Sequence, residues 1–402
     1  MYRFSFMKTR YQKDFQEKLQ VEMKKAKIDA LILTSPENIF YATGYISDMY
    51  INGWVGSDIA IVPSNGKVSI ITSQFTQSGA ELQTKGDVDV IGYPVWIFIE
   101  DYYDPNEKEK NVQPDMLRTF KMAIDIVKSK KNNAVVGIEA DTMPYDKYVF
   151  LAETFGADHL VNVGNFMTKI RTIKFPWEID VLRYSAQIAE KMMNITMQAT
   201  EVGMTEANLF KIWWQTGYEL TRGHEVVNIY QAHTPGPDFW ATTMPRERPL
   251  EEGDVVRLDG GINIYGYVSD LGRSYAVGKT VAPEKQAIFD TLLKARDTGI
   301  EKFVPGNKLS DVFHAVMKVC HKGALPHYVR GHCGHTNGLG PGEEYPMLNP
   351  DNDMFFEPGM VFCFETPYYS SKYHNYNLED TLVITEDGHE LFTNTNRSLF
   401  IK

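Results

Sequence analysis

Cysteine is scarce in this sequence, with three residues among 402. Three is too few, and an odd number, for the disulfide framework of a secreted domain. We therefore expect Cys320, Cys333 and Cys363 to be buried thiols. No apolar run approaches the roughly 20 residues that span a bilayer, and the first residues lack the apolar core and cleavage site of a secretory signal. These features predict a cytoplasmic protein that has no membrane partner.

Basic clusters are also lacking, because the net charge is −11 and no run rich in lysine or arginine stands out. Such a charge opposes binding to a phosphate backbone, so nucleic acid is not an expected partner. Hydrophobic residues make up 43% of the chain, which at this length is enough for two domains with a core each.

The hydrophobic patterns predict an α/β (α+β) protein of two domains, 1–168 and 169–402. The first part mixes helix and strand signals, including an amphipathic helix from Met7 to Ala26 and a hairpin whose turn is Ser64-Asn65-Gly66. The second domain has its first long helix signal at Pro176, which can occupy the first turn of that helix. Further helices are predicted over 205–220, 283–303 and 309–323.

An acidic pair is predicted in residues 254–278. Two β-prone runs flank Asn263-Ile264-Tyr265-Gly266, whose residue types favour a type I turn. A symmetric closure about that turn places Asp259 directly opposite Asp270. Facing carboxylates repel each other, so this pair needs a cation or a shared proton.

The same pattern recurs between residues 359 and 385, where two strands flank a loop centred near Lys372. A symmetric closure there places Glu365 opposite Glu379. A solvated face or an arginine partner would also satisfy such a pair. The presence of two pairs makes a metal site the favoured interpretation.

A glycine-rich stretch, "GHCGHTNGLGPGEEYP" at 331–346, adds two histidines to these four carboxylates. Glycine allows the backbone of such a loop to approach a site closely. Four carboxylates and one imidazole suit two divalent ions, which lower the pKa of a water and polarise a substrate carbonyl. Mn, Fe, Co and Zn all tolerate this set of ligands.

The acidic residues and His335, in this order and spacing, resemble the metal-binding set of the M24 "pita-bread" family of methionine aminopeptidases, Xaa-Pro aminopeptidases, prolidases and creatinase. The segments "RPLEEGDVVRLDGG", "GYVSDLGRS", "EPGMVFCFE" and "NLEDTLVITEDGHE" resemble motifs of that family. The resemblance covers essentially the whole chain and implies an N-terminal creatinase/prolidase-like domain before a pita-bread catalytic domain. It also implies that Asp259 chelates one ion, that Asp270 and Glu379 bridge two, and that His335 and Glu365 complete the other.

Two departures from the family pattern concern the catalytic residues. Thr242 or Thr243 stands where peptidases of the family have a histidine, and His233, which lies upstream, is the candidate to replace it. Glu343 stands where a second catalytic histidine falls, and His332 is the other histidine of the loop. The candidate catalytic residues are therefore Glu343, His233 and His332.

An acidic residue at the position of Glu343 resembles the branch of this fold that cleaves dimethylsulfoniopropionate. That branch has an additional aspartate two positions after the first ligand, where this sequence has Gly261, so the match is incomplete.

Substrate-binding candidates are aromatic and basic residues in segments that border the active site in this fold. Aromatic faces can hold a cationic group, and arginine can pair with a carboxylate. The candidates are Trp54, Trp240, Tyr369 and Arg330. Ordinary packing and surface salt bridges are the alternative interpretation.

The favoured function is a dinuclear metal-dependent hydrolase that cleaves a C–N bond, amide or Xaa-Pro, of a small carboxylate-bearing substrate, with Glu343 moving protons. One alternative is a metal-dependent lyase acting on dimethylsulfoniopropionate or a similar zwitterion. The other is a non-catalytic binding protein. By resemblance, we expect the protein to form a homodimer. We expect its substrate to be a dipeptide or another small molecule.

Overall fold

The computed structural model describes residues 10–47, 56–103, 105, 115–223, 226–237, 245–340 and 344–400. The chain divides into two compact units, 1–170 and 171–402, which are described separately. The boundary predicted between residues 168 and 169 lies inside a helix, Gly164–Thr172, that also contains the division between the units.

The N-terminal unit alternates helices and strands. Its strands are β1 (Ala30–Leu33), β2 (Ile59–Pro63), β3 (Ser69–Ser73), β4 (Asp89–Tyr93), β5 (Val136–Ile138) and β6 (Leu160–Asn162). Its helices are α1 (Gln12–Ala26), α2 (Pro36–Thr43), α3 (Gln74–Thr84), α4 (Met116–Lys130), α5 (Tyr145–Phe155) and α6 (Gly164–Thr172). Short 3-10 turns occupy Glu100–Tyr102 and Ala157–His159.

The described strands of this unit form a mixed sheet in the order β4-β3-β2-β1-β5-β6. The predicted hairpin is confirmed, since β2 and β3 pair in antiparallel fashion with Ile59 opposite Ile71. Strands β1 and β2 are buried along their whole length, as their continuous apolar runs require. The predicted first helix begins later than expected, at Gln12, and residues 7–9 lie outside the described part of the chain.

The helices of the C-terminal unit match the predicted segments closely. They are α7 (Pro176–Ala199), α8 (Glu206–Thr221), α9 (Pro283–Ile300) and α10 (Leu309–Lys322). Pro176 occupies the first turn of α7, where the missing N–H is not needed. Gly323 caps the C-terminus of α10.

The described strands of the C-terminal unit build one sheet. They are β7 (Val226–Gln231), β8 (Thr234–Pro235), β9 (Val255–Ile264), β10 (Tyr267–Val268), β11 (Leu271–Ala276), β12 (Gly334–Thr336), β13 (Glu344–Met347), β14 (Val361–Glu365), β15 (Glu379–Ile384) and β16 (His389–Leu391). The main path is β10-β9-β11-β15-β14-β12-β13, with β7 and β8 on β9, and β16 on β15. An aromatic core that includes Phe289, Phe303, Phe362 and Phe364 joins helices α9 and α10 to the sheet.

The turn between β9 and β10 differs from the predicted one. Ile264 pairs with Tyr267, so the turn residues are Tyr265 and Gly266, and both have positive φ values, 51° and 85°. A two-residue turn of this kind matches the twist of the strands better than a type I turn does. The prediction that Asp259 lies directly opposite Asp270 is therefore wrong, because Asp259 pairs with Gly272.

The three cysteines are all free and buried, as predicted. Within the described residues, no helix is both long and apolar enough to cross a membrane.

Candidate metal centre

Three of the predicted ligands come together in the C-terminal unit. Asp270 precedes β11, His335 lies in β12 and Glu379 opens β15, and one ligand atom of each lies within 4.8 Å of the other two. The Nε2 atom of His335 is 3.7 Å from Oδ2 of Asp270. We call these three residues the inner group. Two carboxylates and an imidazole are donors that divalent transition ions accept, so the residues present fit such an ion.

Strand pairing explains how separate segments of the chain reach this point. Glu365 pairs directly with Glu379 across β14 and β15, which confirms the predicted register. His335 pairs with Cys363 on the other side of β14. Gly334 has a φ of 136°, and a Cβ atom there would lie 2.2 Å from the carbonyl oxygen of Cys363. Glycine is therefore required for β12 to carry His335 so close to β14.

The inner group concentrates negative charge where water has little access. Burial, followed by the charge of Asp270, raises the pKa of Glu379 well above its usual value. Burial also raises the pKa of Asp270, and the neighbouring His335 opposes that effect. Two buried carboxylates this close require a compensating positive charge if both are to be ionised.

His335 is held in the orientation of a ligand. Its Nδ1 atom lies 3.1 Å from the carbonyl oxygen of Thr336, which can only accept a hydrogen bond. Nδ1 can therefore donate to this oxygen, and Nε2 lies on the other side of the ring, 3.7 Å from Asp270. A backbone acceptor on the far nitrogen is the usual support of a metal-binding histidine.

The other two predicted ligands, Asp259 and Glu365, are the outer carboxylates, and each is paired with an arginine. Arg257 contacts Asp259 through Nη2, and Arg330 donates from Nη2 to Oε1 of Glu365. The arginine partner that the sequence left open as an alternative is therefore present beside both outer carboxylates.

The sequence analysis missed two residues beside the ligands, Asn377, which links two of them, and Tyr230. Asn377 is buried and its Nδ2 donates to Glu379 at 3.0 Å and to Asp259 at 3.4 Å. Tyr230 donates from its hydroxyl to the carbonyl oxygen of Ser269, next to Asp270. Arg257 lies two residues before Asp259 on the same face of β9, and this period of two is the signal that could have identified it.

The histidine proposed to substitute for the missing family histidine lies in an apolar environment. His233 is fully buried, and its ring packs edge-on against Phe210 and Trp213 of α8. Burial, helped by the charge of Arg257, lowers the pKa of His233 to about 3, so the ring is neutral. No hydrogen-bond partner for either ring nitrogen is found among the described residues. Its position supports a role in packing more than one in catalysis.

His332 lies at the edge of the centre. Its Nδ1 accepts a hydrogen bond from the backbone N–H of Gly334 and is 3.7 Å from Oε1 of Glu365. The rings of His332 and His335 are 6.3 Å apart. His332 is therefore close to the outer carboxylate but outside the inner group.

Only some of the substrate-binding candidates lie in the described part of the chain. Arg330 donates from Nε to the carbonyl oxygen of His332 at 3.0 Å, which fixes it beside Glu365. Tyr369 is 45% exposed, and its ring lies 5.3 Å from the guanidinium carbon of Arg257. Trp54, Trp240 and Glu343 lie outside the described residues.

Gly261 packs against the backbone of Ser269, in the short break between β10 and β11 that also contains Asp270. A Cβ atom at Gly261 would lie 1.8 Å from the carbonyl oxygen of Ser269, the residue before Asp270. We expect Gly261→Ala to lower the free energy of unfolding by about 1–3 kcal/mol, because backbone must move to accept the methyl group. Urea unfolding measures the change. Gly388→Ala is the control, since a Cβ atom there meets no atom within 4 Å, and an equal effect of both substitutions would contradict the prediction.

The fold and the inner group define a two-domain metallohydrolase of α/β architecture. A model of metallopeptidase family M24 matches residues 180–386, and a model of the creatinase/prolidase N-terminal domain matches residues 16–173. The chain therefore belongs to metallopeptidase family M24, whose members use divalent metal ions. The predicted fold and family are both confirmed.

Individual relatives are similar along nearly their whole length. The putative dipeptidase YkvY of Bacillus subtilis is 23% identical over 94% of this chain and 97% of its own. The uncharacterized peptidase YqhT of the same organism is 25% identical over 96% of this chain and 99% of its own. Among solved structures, an Xaa-Pro dipeptidase from Bacillus anthracis has a TM-score of 0.77 at 21% identity, covering 97% of this chain and 100% of that one. A prolidase from Thermococcus sibiricus has a TM-score of 0.79 at 20% identity, and the match covers 96% of this chain and 98% of that one. These structural likenesses establish the fold.

Proposed function

We propose that this protein is a metal-dependent peptidase that hydrolyses the C–N bond of an Xaa-Pro dipeptide or a related small amide carrying a carboxylate. The observation that carries the proposal is the inner group, in which Asp270, His335 and Glu379 converge within 4.8 Å. The family of the chain supports hydrolysis, and the relatives described as an Xaa-Pro dipeptidase and a prolidase support the substrate class.

The proposed ligands are the inner group together with Asp259 and Glu365, and they would hold two divalent ions drawn from Mn, Fe, Co and Zn. Divalent ions at such a centre lower the pKa of a water and polarise a carbonyl. The carboxylates and His335 hold the ions, while Asn377 keeps Asp259 and Glu379 in place by donating to both. Arg330, at the edge of the centre, is proposed to bind the substrate carboxylate, and Tyr369 to form part of the wall. Glu343 remains the proposed proton carrier on the grounds of sequence.

Hydrolysis can be tested directly on the full chain loaded with Mn²⁺. We expect Xaa-Pro dipeptides or N-acyl amino acids to be cleaved, with one atom of ¹⁸O from labelled water in the new carboxylate. Activity should disappear after chelation and return with the metal. The proposal fails if the folded, metal-loaded protein hydrolyses neither class.

The lyase alternative has less support. It depends on Glu343, which lies outside the described residues, and the relatives named above are described as peptidases, dipeptidases or prolidases. The labelling experiment also tests it, because a lyase releases an alkene and incorporates no ¹⁸O. The homodimer and the cytoplasmic location remain predictions, and light scattering on the purified chain tests the first.

Asn377 offers a test of how the centre is held. We expect Asn377→Ala to weaken divalent-ion binding by about 10–100-fold, the usual effect of removing a side chain that orients ligands. The fold should survive, because the backbone of Asn377 keeps its hydrogen bonds with Ser274 Oγ. Calorimetric titration with Mn²⁺ measures the change. Asn162→Ala, which removes an exposed hydrogen bond to Asp141 in the N-terminal unit, is the control, and unchanged affinity in Asn377→Ala would contradict the assignment.

A further inference from the structure

A groove of about 700 Å³ lies between helices α9 and α10 of the C-terminal unit. Lys294 and Thr298 of α9, four residues apart, lie in one wall, and Lys318 and Lys322 of α10, also four residues apart, lie in the other. Residues at this spacing share one face of a helix, so each helix contributes one face to the groove. None of the lining residues belongs to the metal centre.

The two walls run antiparallel, and two contacts show which positions lie level with each other. The backbone N–H of Ala324, just past the end of α10, donates to Oγ1 of Thr291 at 3.1 Å. A Cβ atom at Gly299, near the end of α9, would lie 3.0 Å from the side chain of Val316. Position 294 of α9 therefore lies level with the middle of segment 318–322 of α10.

Three lysines consequently surround one end of the groove. Lys294 lies on one side of it, and Lys318 and Lys322 lie on the other, one helical turn apart. All three are exposed. Lys302, just past the end of α9, lines the other end. No ion pair of these four lysines is found among the described residues, whereas the neighbouring Lys308 pairs with Asp353.

The groove is positively charged on a protein that is negatively charged overall. Its lining contains four lysines and one carboxylate, that of Asp311, so with histidine counted as neutral it carries +3, whereas the whole chain carries −11. One oxygen of Asp311 already accepts a hydrogen bond from the backbone N–H of Lys308 at 2.9 Å. A concave positive surface of this kind concentrates anions.

The size of the groove favours a small anion over a macromolecule. Twelve residues line it, whereas a specific protein interface uses about 20–30 residues on each side. Its volume is within the range of about 300–1,000 Å³ that is usual for sites of small molecules. Three lysines around one end suit a ligand group with several negative charges, and lysine is a common partner of phosphate.

We propose that the groove between α9 and α10 binds a small molecule that carries a chain of phosphate groups, such as a nucleoside triphosphate. The phosphates lie between Lys294, Lys318 and Lys322. Ala315 and Val319, which also line the groove, offer an apolar surface to the rest of the ligand. This inference does not rest on the proposed peptidase function, because the two sites share no residue.

Calorimetric titration of the full chain with ATP tests the proposal, in the presence of a chelator so that no metal ion holds the phosphates. We expect saturable binding that weakens by at least about 10-fold in the triple variant Lys294→Gln, Lys318→Gln and Lys322→Gln, because the charges that attract the phosphates are lost. The control is Lys191→Gln with Lys211→Gln, two exposed lysines on α7 and α8. A triple variant that binds ATP as tightly as the parent protein would overturn the proposal. So would a folded parent protein that does not bind ATP up to about 1 mM.

Two further probes separate the parts of the ligand. Adenosine, which has no phosphate, should not bind, and adenosine that binds as tightly as ATP would overturn the phosphate site. Inorganic tripolyphosphate should bind more weakly than ATP. Tripolyphosphate that binds as tightly as ATP would support the phosphate site and overturn the contact of the ligand with Ala315 and Val319.

Acetylation of the unsubstituted chain locates the site without depending on the folding of any variant. Acetic anhydride modifies exposed lysines, and mass spectrometry measures the rate at each position. We expect ATP to slow the acetylation of Lys294, Lys318 and Lys322 and to leave Lys191 and Lys211 unchanged. Equal protection of both sets, or protection of neither, would contradict the proposed location.

Discussion

Asp270→Ala is expected to abolish tight divalent-ion binding and to lower kcat/KM by at least about 1,000-fold, because the reaction needs the ion's charge beside the reacting carbonyl. Asp270 contributes one of the three side chains that converge within 4.8 Å. Its removal leaves the inner group with one carboxylate and one imidazole, and the outer carboxylates are already paired with arginines, so too few donors remain to hold an ion tightly. Elemental analysis of protein purified without chelators, together with hydrolysis of the best dipeptide, measures both effects.

The matched control for this substitution is Asp353→Ala. Asp353 pairs with Lys308 at 2.8 Å on the exposed surface of the same unit, so its loss should change neither metal content nor activity. Thermal unfolding of both variants separates a local loss of metal from a loss of fold. If Asp270→Ala keeps the metal content and activity of the parent protein, the assignment of the inner group is wrong.

The largest effect on stability is expected at Asp380, the residue after Glu379. Asp380 is fully buried and accepts hydrogen bonds from Arg273 at 2.9 Å, from Arg296 at 2.6 Å and from Thr393 at 2.8 Å. Asp380→Asn removes the buried charge that both guanidinium groups share and leaves Arg273 with Glu190 and Arg296 with Asp297 as more exposed partners, which should cost about 3–5 kcal/mol. The urea midpoint and Tm of the full chain measure the loss.

The same substitution should also weaken metal binding. Arg273 donates from Nη1 to the carbonyl oxygen of Glu379 at 2.6 Å, so the network that Asp380 anchors also positions the first residue of β15. Asp180→Asn, which affects an exposed pair with Arg183, is the control and should cost less than about 1 kcal/mol. Similar losses in the two variants would show that the buried network does not stabilise the fold.

The two hairpins show why the predictions of register differed in accuracy. Around Lys372 the flanking strands closed symmetrically as expected, and Glu365 pairs with Glu379. Around Tyr265 the residue types suggested a type I turn over 263–266. The strands instead form a turn over 264–267 whose two central residues have positive φ, so the turn moves along by one residue and Asp259 faces Gly272. The twist of the paired strands favours a turn whose central residues have positive φ. A prediction made from four turn residues does not take that twist into account.

The sequence by itself determined the two-part α/β organisation, the family, and the identity of the three residues that converge at the centre. The two-part organisation follows from local periodicity, and the family and the ligand residues follow from a resemblance of motifs to those of a known family, both of which are local features of the chain. Only the tertiary structure decided that Arg257 and Arg330 pair with the outer carboxylates, that Asn377 bridges two ligands, and that His233 packs between aromatic rings. The contacts of Arg330, Asn377 and His233 join residues far apart in sequence, and such separations carry no local signal. Arg257 lies only two residues from Asp259, but the sequence did not show that the two side chains pair with each other.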